Sequence, residues 1–157
     1  MRALVSWRKL PAERRSLLPR ALLAVIGVRV GLLALPFASL RGLLSHARRR
    51  TVDRPGDFTE RDVVWSVSRA STIVPGATCL TQALATELLL ARRGLAPSVQ
   101  IGVRRSDPGT LEAHAWVEVD GRIVACGRGA EQYVELRSIN GRPADVVARD
   151  TRRTSGS

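Results

Sequence analysis

Lysine and methionine each occur once in the 157 residues, and cysteine and histidine twice each, at Cys79, Cys126, His46 and His114. Two cysteines are too few for a disulfide scaffold, and with no clear secretory signal ahead of them they read as reduced thiols of a cytoplasmic protein. Nor do two cysteines and one well-placed histidine match a usual zinc-ligand spacing, so neither metal nor cofactor is expected. Aromatic residues make up 4% of the chain, which leaves Leu, Val, Ile and Ala to build the core; at 45% hydrophobic residues that core is sufficient for one globular domain. Long apolar runs are also absent. Ala21–Val28 and Val30–Leu40 are uncharged but are separated by Arg29, and neither reaches the ~18–20 residues of a membrane span. A soluble chain is therefore expected, with membrane-surface association the less favoured alternative.

The scarcity of lysine leaves arginine to supply 24 of 25 basic residues, and the formal charge of +11 is unevenly placed. Residues 1–50 carry eleven basic residues against the single acid Glu13, whereas 51–147 carry eleven arginines against twelve acids. The charge thus belongs to the N-terminal third. No aromatic-interleaved basic stretch or zinc-finger spacing accompanies it, so nucleic acid is not an expected partner.

Three parts follow from the patterning: a basic helical segment over 1–50 packed on the core, a core over 51–147 and a disordered tail over 148–157. Leu17, Leu18, Ala21, Leu22, Val25 and Ile26 recur at helical spacing, with Ser16 as candidate cap and Pro36 as terminator. A shorter helical stretch, Leu40–Leu44, leads to His46 and Arg48–Arg50, read as surface residues in water or a docking surface. Thr51–Asp57 is a linker. Thr59, with Asp62 at capping-box spacing, opens a helix carrying Val63, Val64, Val67 and Ala70. Pro75-Gly76 breaks the chain, and an amphipathic helix then runs from Cys79 to about Arg92-Arg93-Gly94. Beyond it the period becomes two. Val99, Ile101 and Val103 mark one strand, and Ala113, Ala115, Val117 and Val119 alternate with His114, Trp116, Glu118 and Asp120 on a second. Asp120-Gly121 is a favoured hairpin turn, with Arg122–Cys126 returning. Turns are expected at 106–110 and Asn140-Gly141, and a short strand at Tyr133–Leu136.

Chemistry concentrates at Cys79 and His114. With Thr78 as N-cap, Cys79 stands in the first turn of its helix, where the dipole and free backbone donors favour a thiolate. Those same amides suit an oxyanion. An imidazole on the following strand can take the thiol proton and return it to a leaving amine. Against this stand a buried core cysteine and a structural strand histidine.

Leu35-Pro36-Phe37, Arg69-Ala70-Ser71, Val74 through Ala83 and Ala113 through Gly121 together resemble the lasso peptide biosynthesis B2 proteins, transglutaminase-like cysteine proteases that remove the leader from a ribosomal precursor peptide. The resemblance covers roughly residues 15–135. It implies an α+β fold: a papain/transglutaminase-like core, with the cysteine helix packed on a small antiparallel sheet. It also implies Cys79 as nucleophile, His114 as base, a precursor peptide substrate, a small leader-binding protein as partner and a macrolactam cyclase acting afterwards. A non-catalytic scaffold member and acyl transfer instead of hydrolysis are the alternatives.

In one respect the chain departs from the family's pattern, which places an acid about a dozen residues after the histidine to orient it. Hairpin symmetry puts that position near 126–128, where this chain has Cys126, Gly127 and Arg128. At ~3.3 Å per residue, Asp120 lies roughly 20 Å and Glu118 about 13 Å along the strand from His114. Glu131 reaches it only if the intervening segment loops back. A dyad, a backbone carbonyl or a water therefore remain as ways to complete the site.

Overall fold

The structure, a computed structural model, describes residues 12–50, 58–106 and 109–138. Four helices precede a four-stranded antiparallel sheet: α1 Ala12–Ala34, α2 Phe37–Arg50, α3 Glu60–Ser71, α4 Cys79–Ala91, β1 Pro97–Ser106, β2 Thr110–Val119, β3 Arg122–Ala125 and β4 Val134–Ser138, in sheet order β3-β2-β1-β4. This is the α+β architecture expected from the sequence. The linker at 51–57, the Asn140-Gly141 turn, the tail and part of the 106–110 turn lie outside the described residues.

The helices bury a continuous aliphatic core against one face of the sheet. Leu17, Ala21, Val25 and Val28 supply the buried stripe of α1, Val63, Val67 and Ala70 that of α3, and Val99, Ala115, Val117 and Val119 the sheet's share. Leu84 and Leu90 of α4 are fully buried at the centre, each such side chain contributing about 1.5–3 kcal/mol. Aliphatic side chains thus do what the low aromatic content required of them.

Ser16 is not a cap. α1 is already helical from Ala12, four residues earlier, because Ala, Glu and Arg are good helix formers. The two apolar runs expected as separate pieces are joined through Arg29 into one helix. Its segment Arg14–Ala34 is long and apolar enough, by length and composition, to cross a membrane. Arg29 is accommodated because its guanidinium lies over Gly76: a Cβ built there would sit 2.6 Å from Nη2. On the far side of α1, Leu23, Ile26, Val30 and Leu33 form an exposed apolar ridge, Leu23 and Leu33 at 71% and 70% exposure.

α2 is longer than the Leu40–Leu44 stretch and buries both of those leucines. Its arginines are not simply solvated. Arg41 and Arg48 both pair with Glu87 of α4, at 2.6 and 3.1 Å, although the Glu87 side chain is only 1% exposed. The sequence could not show this, since the acid lies 46 positions from Arg41 and 39 from Arg48. His46 is exposed, as expected.

Candidate active site

α3 ends at Ser71, and the chain turns through Gly76, at φ +69°, before α4 begins. Glycine is needed at Gly76 for that left-handed backbone as well as for Arg29. Thr78 caps α4 in an extended conformation, its hydroxyl accepting from the Thr81 amide while the Thr81 hydroxyl accepts from the Thr78 amide. The box fixes the entry of the helix and makes Cys79 its first residue. Among the described residues the amides of Cys79 and Leu80 have no hydrogen-bond partner, as expected of a first turn.

His114 comes from β2, opposite Gly102 of β1. Cys79 and His114, brought from elements 35 positions apart, line one cleft of about 310 Å³. Val64, Val67 and Ser68 of α3, Gln82 and Thr86 of α4, and the segment Ala125–Arg128 complete its walls. Half-buried, His114 lies between two aromatic rings, Trp116 at 6.4 Å and Tyr133 at 5.2 Å between centroids. Gly102 lies against both aromatic side chains, since a Cβ there would come 2.8 Å from Tyr133 Cβ and 2.9 Å from the Trp116 ring.

The return strand behaves as hairpin symmetry requires, and then departs from it. Val119 faces Arg122 and Glu118 faces Ile123 about the Asp120-Gly121 turn, both of whose residues have positive φ. A bulge then slips the register by one, pairing Val117 with Ala125. The strand ends there, one residue short of the expected Cys126, because Cys126 takes a left-handed φ of +56°. Its carbonyl oxygen lies 2.6 Å from His114 Nε2. Among the described residues no acid takes that position. Glu118 instead accepts from Trp116 Nε1 at 2.9 Å and from Gln100 at 3.3 Å, Asp120 stays in the turn, and Glu131 is exposed in a short 3₁₀ turn at Ala130–Gln132.

The two thiols differ in environment. Cys126 is pushed up to about 11, first by burial and then by the neighbouring Cys79. Its Sγ also faces Gln82 Oε1 at 3.9 Å, a long and weak contact. Gln82 escaped notice in the sequence, although its spacing of three from Cys79 puts both on one helix face. Tyr133 and the α3 wall carried no local signal. Among the described residues no cluster of three or more His, Cys, Asp or Glu could hold a metal.

A thiol at a helix N-terminus, free amides beside it and an oriented imidazole in the same cleft make an arrangement suited to acyl transfer through sulfur. A family model described as transglutaminase-like superfamily matches residues 22–139. Neither the curated proteins nor the solved structures returned a match. The matched span runs from α1 to the end of β4 and takes in every wall of the cleft. With the helix-then-sheet order and the cysteine at the head of the central helix, this chain belongs to the transglutaminase-like superfamily.

Proposed function

We propose that this protein is a cytoplasmic cysteine peptidase that cleaves the leader from a ribosomally made lasso peptide precursor, with Cys79 as nucleophile and His114 as general base and acid. The observation that carries the chemistry is the cleft lined by both the first residue of α4 and an imidazole already held through one nitrogen. The substrate class rests on the resemblance of the Val74–Ala83 and Ala113–Gly121 segments to the lasso peptide B2 proteins.

In the proposed reaction the Cys79 thiol gives its proton to His114, and the thiolate attacks the carbonyl at the leader–core junction. The oxyanion meets the unpartnered amides of the first turn of α4. His114 then protonates the departing amine. Water, deprotonated in turn by His114, hydrolyses the thioester and restores the thiol.

A small leader-binding protein would deliver the precursor, and a macrolactam cyclase would act on the released core. The exposed ridge Leu23, Ile26, Val30 and Leu33 supports such docking, because a contiguous apolar strip on a folded chain marks a contact surface. The test is a cleavage assay on the candidate precursor, with and without the leader-binding protein, read by mass spectrometry. Two hydrolysis products are expected; an intact precursor under both conditions would overturn the reading, and a product joined to an added amine would replace hydrolysis with acyl transfer.

A further inference from the structure

We infer that the backbone carbonyl of Cys126 is the orienting group of His114, in place of a side-chain acid, and that Cys126 is thereby a positioning residue. The inference rests on the Cys79–His114 chemistry proposed above and deepens it. Two features aim this carbonyl. Cys126 follows the bulge in β3 and turns left-handed at φ +56°, a conformation disfavoured for a non-glycine residue, so surrounding structure must hold it. Gly127 comes next, where any Cβ would run into Cγ2 of Ile123, so the chain passes close under its own strand. The carbonyl then ends 2.6 Å from Nε2.

A carbonyl only accepts, so Nε2 must be the protonated nitrogen of the neutral ring. That leaves the lone pair on Nδ1, which has no hydrogen-bond partner among the described residues, free to take the proton of Cys79. A peptide carbonyl thus supplies both the ring angle and the tautomer that a carboxylate would supply. With the carbonyl in that role, no acid among the described residues should govern the reactivity of Cys79.

The test uses the full-length protein, labelled with nitrogen-15 and carrying His46→Gln, so that His114 is the only histidine. Long-range proton–nitrogen spectra above the titration of the imidazole should show a single Nε2–H tautomer, with its ring proton visible and protected from solvent exchange. An Nδ1–H ring, or two tautomers in rapid exchange, would overturn the inference. Gly127→Ala should abolish the protected proton and slow alkylation of Cys79 at least tenfold, and adding Ile123→Ala should restore both. An unchanged ring proton in Gly127→Ala would also overturn it. Glu118→Gln and Glu131→Gln should each leave the pH profile of Cys79 alkylation in place; a displaced profile in either would make that acid the orienting group. None of these readouts needs a precursor. Failure to cleave the precursor would therefore count against the leader-peptidase reading alone.

Discussion

Arg41 of α2 places Nη1 2.6 Å from Oε2 of Glu87, an almost fully buried carboxylate in the middle of α4. Arg48, two helical turns later, takes the other oxygen at 3.1 Å. The fork ties the N-terminal helices to the helix that starts with Cys79. Removing both arginines strands a buried charge, so the double variant Arg41→Ala, Arg48→Ala should lower unfolding stability by about 3 kcal/mol or more. The triple variant Arg41→Met, Arg48→Met, Glu87→Leu should be close to neutral by the same argument. Chemical denaturation measures both, and equal losses in the two proteins would refute this account of the fork.

Loss of Cys79 or His114 should stop the chemistry without disturbing the fold. Cys79→Ala and His114→Ala are each expected to reduce cleavage by roughly a thousandfold or more, as removal of a nucleophile or its base does elsewhere. Circular dichroism and melting should stay near those of the unsubstituted protein. Cleavage retained by either variant would remove the proposed mechanism.

Thiol labelling should separate the two cysteines. With Cys126 pushed up to about 11 by burial, its thiol stays protonated at pH 8, and thiolate is the reactive form. Peptide mapping after limiting iodoacetamide should therefore find the label on Cys79, at a rate that falls in His114→Ala. Equal labelling of both residues at pH 8 would contradict the burial of Cys126.

Acid stability should depend on Asp62. Its carboxylate accepts from the Thr59 amide and hydroxyl and pairs with Arg14 at 2.7 Å. These contacts, the Thr59 hydroxyl foremost, lower it from 3.8 to about 2. A depressed carboxylate stabilises the fold above its unfolded value and loses that contribution as pH falls through the folded one. The stability of the unsubstituted protein should thus decline between about pH 4 and pH 2 more steeply than that of Asp62→Asn. Parallel acid-unfolding curves would remove Asp62 from the account.

Gly102→Ala probes the aromatic surroundings of the histidine. The added methyl would meet Tyr133 and Trp116 at 2.8–2.9 Å, directly across from His114. Overpacking of this kind costs about 1–3 kcal/mol and moves its neighbours. Lower thermal stability and slower cleavage are both expected, and an unchanged melting temperature would show that the two rings yield freely.

Local features of this protein were legible in its sequence because their causes are local. The Thr59 and Thr78 caps, the Pro75-Gly76 break, the Asp120-Gly121 turn and the alternation of β2 all depend on residues within a few positions of one another. They brought Cys79 to the head of a helix and His114 to the middle of a strand. Their shared cleft, its α3 wall and the pairing of Glu87 with two arginines arise from packing between distant segments, and no short window of sequence holds that information. Ser16 failed as a cap for a related reason: a polar residue within a helix-forming run does not by itself fix where the helix starts. Hairpin symmetry located the partner of His114 to within a residue or two, but an expectation framed in side chains pointed to a missing acid. Only the folded chain, through one bulge and the left-handed turn at Cys126, put a backbone carbonyl there, because the direction of a backbone carbonyl is set by how the strand closes and is not written in the chemical type of the side chain at that position.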